Sequence, residues 1–281
     1  MGPSRCPDER PSIGHHLADR PRNPDRFRTT FRAGRGLRHA DLTSERDQAG
    51  TDRLRDLASS ARLQDEYMPA VPPSTRAVVF DVGETLVDET RNWSRRAELV
   101  GVTAFSLMGA LGALIERDEP HSRLWELLGV ESPGMEVSLD GADLYPDALR
   151  CLRAIRRVGL VVGIAGNQPA GIEAQLRALG FEADFIASSA AWGVEKPSAE
   201  FFTRIVGELA CEPAAILYVG DRLDNDVLPA RAAGMRTAFV RRGPWGYVHA
   251  QRQGVSLADL RIDSLDELAA IMTAKQGRQA N

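Results

Sequence analysis

The strongest constraint on the fold is an alternation of short apolar runs with helical segments, which begins at Ala77. The first run, AVVF at 77–80, is short and β-rich, and Gly or Pro lies near the ends of the helical segments that separate the later runs. Five runs are predicted to be strands, at residues 77–80, 160–165, 183–187, 214–219 and 236–240. Strands that alternate with helices through short connections favour a doubly wound parallel sheet, so the predicted fold class is α/β.

Proline and glycine delimit the helices predicted between these strands. The helical ranges are 146–157, 169–180, 197–209, 225–233 and 265–272, the last capped by Asp263 or Ser264. Residues 86–144 interrupt the alternation directly after strand one. They contain a long helical segment, 94–118, and a short one, 121–128, so we expect a small helical insertion at this point.

The first 74 residues differ in composition from the rest of the chain. They hold 13 Arg and 11 acidic residues, whereas the remainder holds 22 basic and 28 acidic residues. Their large apolar residues are too few to offset the entropy lost on ordering, so 1–74 is expected to be a disordered head and linker. A short helix over 51–67, a true start at Met68, and a basic or targeting arm remain open. The expected core is then 75–85 and 145–281.

Composition also argues against several classes of protein. The formal net charge is -4, which disfavours a generic nucleic-acid binder. The most apolar stretch, 99–115, is flanked by Glu98 and Glu116 and is shorter than a membrane span requires. Three widely spaced cysteines, at positions 6, 151 and 211, fit a reducing compartment. We therefore expect a cytoplasmic protein without nucleic-acid or membrane partners, and the oligomeric state stays open.

Polar residues follow the predicted strands at the edge where open α/β sheets bind ligands. Asp81 ends strand one, Asn167 ends strand two, and Asp221 and Asp226 follow strand four. Lys196 precedes a helix and is one of two lysines in a chain with 33 arginines. Each residue alone has an ordinary explanation as a turn, cap or surface residue. Together they supply carboxylates for a hard divalent cation, and a cation and a donor for a phosphoryl group.

These residues resemble the four motifs of the haloacid dehalogenase-like (HAD) hydrolase superfamily, over about 70% of the chain from Ala77 to Met272. Motif one, D-x-D-x-T, is matched by Asp81 and Thr85. Motifs two to four are matched by Gly166-Asn167, Lys196-Pro197, and Gly220-Asp221 with Asp226. The insertion at 86–144 resembles the helical cap of the family.

The resemblance implies a Mg²⁺-dependent hydrolase that acts on a small phosphorylated metabolite through an aspartyl-phosphate. It implies Asp81 as the nucleophile, assisted by Lys196. The implied metal ligands are Asp81, the carbonyl of Gly83, Asp221 and Asp226. The implied substrate-binding residues are Gly166, Asn167, Lys196 and Thr85.

Two departures from the family pattern affect this expectation. Gly83 stands where the phosphatases of the family carry a second Asp, which protonates the leaving oxygen and then activates water. Glu84 is a candidate catalytic substitute, although adjacent residues tend to point apart. Gly166 lacks the hydroxyl of motif two. Two alternatives stay open: a metal- and phosphate-binding protein with little turnover, and a non-phosphatase HAD hydrolase such as a dehalogenase.

The remaining polar and aromatic residues are given structural interpretations. His121 and His249 are expected to be surface or cap residues. Trp245 and Tyr247 follow strand five and are expected to pack, whereas Trp93 and Trp125 lie in the insertion and are candidates to face the substrate.

Overall fold

The structure, a computed structural model, describes residues 74–134 and 137–279. The predictions for residues 1–73, including the short helix over 51–67 and the start at Met68, lie outside these residues.

Six parallel strands form one sheet with the order β3-β2-β1-β4-β5-β6. The strands are β1 (Ala77–Phe80), β2 (Val161–Gly166), β3 (Phe185–Ser188), β4 (Ile216–Gly220), β5 (Arg236–Val240) and β6 (Leu260–Ile262). All five predicted strands are present within two residues of their expected bounds, and β6 is additional. The strand order reverses between β1 and β4, where sheets of this kind form a ligand crevice.

The described helices lie on both faces of this sheet and in the insertion that follows β1. In chain order they are α1 (Thr90–Leu99), α2 (Ala104–Glu116), α3 (Leu124–Leu128), α4 (Ala148–Arg157), α5 (Ile172–Ala178), α6 (Ser189–Trp192), α7 (Ala199–Leu209), α8 (Leu228–Ala232), α9 (Gly243–His249) and α10 (Leu265–Gln279). Short 3₁₀ turns lie at His121–Arg123, Gly141–Asp143, Pro213–Ala215 and Gln253–Leu257, and a π-helical turn lies at Leu223–Val227.

The side chains of β1 explain how the two faces are filled. Val78 and Phe80 belong to an apolar cluster with α4, α5 and α10, whereas Ala77 and Val79 belong to a second cluster with α7 and α8. All four side chains are buried, because a strand in a doubly covered parallel sheet has no solvent face. The predicted doubly wound α/β class is therefore confirmed.

The single helix expected over 94–118 is wrong. The structure has two helices, α1 and α2, which are bent by 111° relative to each other. Gly101 between them has a φ of 72°, and the Thr103 side chain accepts a hydrogen bond of 3.1 Å from the Ser106 N–H. A side-chain cap of this kind begins a new helix, so Thr103 ends the continuity that the apolar pattern suggested.

The helices of the insertion share an apolar cluster of their own. Trp93 of α1, Leu111 of α2 and Leu124 of α3 are buried together, and Trp245 of α9 joins them from the sheet side. The Arg252 guanidinium donates hydrogen bonds to the Ile115 carbonyl at 2.7 Å and the Glu116 carbonyl at 3.2 Å. The insertion is thereby attached to the residues that follow β5.

No single described helix is long and apolar enough to cross a membrane. Only α1 and α2 taken together, as a sharply bent pair, have the length and composition for it.

Candidate active site

Three carboxylates meet at the reversal of the strand order. Asp81 follows β1 and Asp221 follows β4, while the π-helical turn returns Asp226 to the same place. Oxygens of the three side chains lie within 4.8 Å of one another, and all three residues are buried. A Cβ on Gly220 would lie 2.4 Å from the Asp226 carboxyl carbon, so only glycine leaves room for this approach.

Lys196 is the cation of this cluster. Its Nζ lies 2.7 Å from Asp81 Oδ1 and 2.5 Å from Asp226 Oδ1, and its side chain is 1% exposed. Asn167 holds the backbone of Lys196 in place, because its Oδ1 accepts from the Lys196 N–H at 2.8 Å and its Nδ2 donates to the Lys196 carbonyl at 2.9 Å. Asn167 thus positions the lysine in addition to lining the cavity.

The charges in the cluster do not balance. Burial raises the pKa of Asp221 well above its usual value, and the neighbouring charges of Asp226 and Asp81 raise it further. Burial also raises the pKa of Asp226 to about 6, against the opposing effect of Lys196. For Lys196, burial acts to lower the pKa, but the charges of Asp226 and Asp81 raise it well above normal.

The donor set therefore fits a divalent cation. One buried oxygen of Asp221, Oδ2, has no hydrogen-bond partner among the described residues. Three buried carboxylates facing one ammonium leave an excess of negative charge, which hard cations such as Mg²⁺ relieve. Carboxylate and carbonyl oxygens are the ligands such cations prefer.

A carboxyl group occupies the space beside Gly83. A Cβ added to Gly83 would lie 2.9 Å from Glu89 Oε1 and 3.0 Å from Glu89 Cδ. The chain brings Glu89 there through a tight turn, in which the Glu84 N–H donates to the Val87 carbonyl at 2.8 Å and Glu84 has a φ of 51°. Burial raises the pKa of Glu89 to about 7, and the negative charges of Glu84 and Asp81 add to this effect.

Glu84 itself is held by two hydrogen bonds. Its Oε2 accepts from the Tyr145 hydroxyl at 2.6 Å, and its Oε1 accepts from the Glu89 N–H at 3.2 Å. Burial raises the pKa of Glu84, while the bond from Tyr145 opposes the shift. Glu84 also borders the cavity, so the structure brings it to the site but with both carboxylate oxygens already engaged.

Two of the expected substrate-binding residues lie behind the cavity. Thr85 is fully buried and does not line it, and its carbonyl accepts a hydrogen bond from Arg242 at 2.9 Å. The expectation that the Thr85 side chain contacts substrate is therefore corrected. A Cβ on Gly166 would lie 2.4 Å from Asp81 Oδ1, so the Asp81 carboxylate fills the space that a motif-two side chain would need.

A cavity of about 610 Å³ opens above these carboxylates. Its floor includes Asp81, Gly83, Lys196 and Asp221, the residues nearest to the expected chemistry. Its walls carry aromatic and cationic side chains, namely Trp93, Arg96, His121, Trp125, Arg222 and Trp245. The site thus has an acidic floor with one lysine, below walls that carry aromatic and charged side chains.

The histidine and aromatic residues that were given structural interpretations differ in several respects from the sequence-based expectation. His121 lines the cavity with its ring 5.9 Å from the Trp245 ring, and burial lowers its pKa. Trp245 packs as expected but also borders the cavity. The expectation that Tyr247 packs is wrong, because the residue is 62% exposed. His249 is not a surface residue, since it is 3% exposed and its Nδ1 accepts from the Leu223 N–H at 3.0 Å.

Glu89, Arg96 and Arg222 were not singled out from the sequence. Arginine is too common in this chain to mark a site, and Glu89 lies six positions beyond Gly83 with no motif to connect them. Only the turn between the two residues makes them neighbours.

Sequence comparison relates this chain to a family of hydrolases. A family model described as haloacid dehalogenase-like hydrolase matches residues 75–234. A glyceraldehyde 3-phosphate phosphatase of Methanopyrus kandleri is 33% identical over 131 residues, which are 46% of this chain and 56% of that protein. The sesquiterpene phosphatase astK of Aspergillus oryzae is 32% identical over 130 residues, which are 43% of this chain and 65% of that protein. The chain thus spans little more than half the length of the first of these relatives.

The solved structures give the fold. The L-2-haloacid dehalogenase RSc1362 has a TM-score of 0.54 at 19% sequence identity, with 70% of this chain and 98% of that chain covered. At this identity the likeness concerns the architecture alone. The matched family model covers more than half of the chain, and with the strand-end residues it shows that this protein belongs to the haloacid dehalogenase-like hydrolases.

Proposed function

We propose that this protein is a Mg²⁺-dependent phosphatase that hydrolyses a small phosphorylated metabolite through a phosphoryl group carried on Asp81. The observation that carries the proposal is the buried cluster of Asp81, Asp221 and Asp226 around Lys196 on the cavity floor. The relatives named as phosphatases support the reaction class.

In this proposal Asp81 attacks the phosphorus atom. The Lys196 ammonium, 2.7 Å from Asp81 Oδ1, forms an ion pair with that carboxylate and fixes its direction. The same ammonium offers positive charge to the oxygens of the transferring group, which is the main requirement of phosphoryl transfer. Asn167 contributes by holding the Lys196 backbone from both sides.

Asp81, Asp221 and the carbonyl of Gly83 would hold Mg²⁺, with Asp226 in support behind them. When bound, the ion supplies charge to neutralise the phosphoryl oxygens. The unpartnered Oδ2 of Asp221 and the excess of buried carboxylates support this assignment.

Two alternatives predict different chemistry. A haloacid dehalogenase would release halide without a metal ion, and a phosphate-binding protein would bind Mg²⁺ without turnover. The orphaned carboxylate oxygen of Asp221 favours a metal-dependent reaction over the first alternative. The cavity of about 610 Å³ beside a charged nucleophile favours a substrate-processing site over the second.

The test is a substrate panel measured with Mg²⁺ and with excess chelator. It contains aryl, acyl and alkyl phosphates and a short 2-haloacid, with phosphate and halide release as readouts. We expect phosphate release that requires Mg²⁺ and is abolished in Asp81→Asn, which keeps the size of the side chain. Halide release in chelator would replace the proposal by a dehalogenase, and Mg²⁺ binding without release of either product by a binding protein.

A further inference from the structure

We propose that Glu89 is the general acid and base of this site, with its carboxyl group in the space that Gly83 leaves free. The inference rests on the proposed phosphatase function. It identifies a catalytic residue outside the four motifs, at the N-terminal end of the first helix of the insertion.

The carboxyl group of Glu89 lies beside Gly83. Glu89 Oε1 and Cδ lie 2.9 and 3.0 Å from the point where a side chain at position 83 would begin. An Asp at that position would place its own carboxyl group in the same volume. The Glu89 carboxyl group therefore stands where a side chain at position 83 would extend, and it lines the same cavity as Asp81. In this proposal it serves the leaving oxygen and the attacking water from there.

Helix capping does not account for the presence of Glu89. Glu89 precedes α1 at the N-cap position, yet its side chain makes no capping hydrogen bond to that helix. It is thus not explained by helix capping, the usual structural use of a polar residue at this position. Glu84, in contrast, has one carboxylate oxygen on Tyr145 and the other on the Glu89 N–H.

These contacts separate the roles of the two glutamates. The bond from the Glu89 N–H to Glu84 Oε1 holds the backbone that carries the Glu89 side chain. Glu84 is therefore a positioning residue, which acts through Glu89. Its conformation at a φ of 51° belongs to the turn that brings residue 89 back towards residue 83.

In this proposal hydrolysis has two steps, transfer of the phosphoryl group to Asp81 and its release by water. Asp81 forms a bond to phosphorus, the bond from phosphorus to the leaving oxygen breaks, and that oxygen takes the proton of the Glu89 carboxyl group. Water then attacks phosphorus and gives a proton to the Glu89 carboxylate. The bond between phosphorus and Asp81 breaks, which releases phosphate and restores both side chains.

The test compares Glu89→Gln with wild type on phosphate esters whose leaving groups differ in pKa. Simple alkyl phosphates need a proton on the leaving oxygen, whereas aryl phosphates with acidic leaving groups do not. We expect kcat/KM for alkyl phosphates to fall by about 10²–10⁴-fold, and for aryl phosphates by less than about tenfold. Rates plotted against leaving-group pKa should become steeper in the variant.

A double variant that moves the carboxyl group from residue 89 to residue 83 provides the matched control. Glu89→Ala should show the same selective loss, and the added change Gly83→Asp should restore alkyl phosphate turnover, because the new side chain enters the vacated volume. In wild type, Gly83→Asp should give little gain, since the Glu89 carboxyl must first move away. Mg²⁺ binding, measured by calorimetry, should be unchanged in Glu89→Gln.

The possible outcomes distinguish the two proposals. Equal losses for alkyl and aryl phosphates, or no loss, overturn the role of Glu89 while the phosphatase stands. A loss of Mg²⁺ binding in Glu89→Gln makes Glu89 a metal ligand and also overturns it. If wild type hydrolyses no phosphate ester at all, the proposed function fails and this inference fails with it.

Discussion

At the scale of single residues, the site brings carboxylates of like charge close together in a buried position. Asp221 is 2% exposed and faces the carboxylates of Asp226 and Asp81, with one of its own oxygens unpartnered among the described residues. A buried charge without a partner destabilises a fold, and active sites commonly accept that cost for function.

Asp221→Asn should therefore stabilise the metal-free protein. Removing one of the three buried negative charges is expected to raise the free energy of unfolding by about 1–2 kcal/mol in excess chelator. Urea unfolding with chelator measures this, and the same variant should lose Mg²⁺-dependent stabilisation and turnover. A variant less stable than wild type in chelator would contradict the account of the charges.

Lys196→Met should have the opposite effect. It leaves three buried carboxylates without their ammonium, and breaking a buried ion pair from one side costs about 3–5 kcal/mol. We expect that loss in urea unfolding with chelator, and partial recovery when Mg²⁺ is added. A variant as stable as wild type would show that the ion pairs of 2.7 and 2.5 Å do not hold the cluster together.

At the scale of elements, the π-helical turn Leu223–Val227 depends on a residue distant in sequence. The Leu223 N–H donates to His249 Nδ1 from α9, so this histidine accepts a hydrogen bond and is neutral in that contact. Burial lowers the pKa of His249 below 6.5; the charge of Asp224 opposes this effect, and the charges of Arg252 and Arg222 add to it.

The stability of this contact should depend on pH in a defined direction. Because the folded state binds the His249 proton less readily than the unfolded state, the contribution is complete above pH 6.5 and declines as the pH falls below it. Wild type should lose more stability between pH 7.5 and pH 5 than His249→Gln, whose amide oxygen accepts without titrating. Equal losses in urea unfolding would contradict this assignment.

The elements also show how far sequence reasoning reaches. The strands from β1 to β5 were predictable because each is a compact apolar run, whereas β6 has three residues with an exposed Arg261 at its centre. Helix α9 was missed because it begins with Gly-Pro, a pair typical of loops. The break between α1 and α2 depends on a cap at Thr103 inside an otherwise continuous apolar pattern.

The residues of the site also differ in how far their positions could be predicted from sequence. Asp81 and Asp221 could be predicted to meet, because parallel strands end at one edge of their sheet. Lys196 and Asp226 were expected at the same place because their motifs resemble those of the family. The position of Glu89 could not be predicted, since it depends on the turn at Glu84 and on contacts with Tyr145 across 61 positions of sequence. Residues that follow strand ends can be predicted from sequence, whereas a residue that is placed by a folded turn and marked by no motif cannot.

At the scale of the whole molecule, the insertion and the sheet together enclose the cavity. Trp245 from α9 joins the apolar cluster of α1 and α2, and Arg252 holds the end of α2 by its carbonyls. Because Trp245 and several residues of the insertion line the cavity, we propose that the residue range 86–144 acts as a cap that limits access to the carboxylates.

Removal of residues 1–67 should leave the sheet, the insertion and the site intact. The segment carries too few large apolar residues for a core of its own. We expect the melting temperature of the shortened chain to stay within about 3 °C of the full chain, with unchanged phosphate release. A fall of about ten degrees would show that the head packs against the rest of the protein.

The central claim is that Asp81 carries the phosphoryl group during turnover. The most direct measurement mixes the protein with an acyl phosphate and Mg²⁺, quenches with acid within one turnover, and locates the modified residue by peptide mass spectrometry. The account predicts a phosphoryl group on Asp81 that is absent in chelator and in Asp81→Asn. Phosphate release by the wild type with no phosphoryl group on Asp81 at any quench time would contradict it.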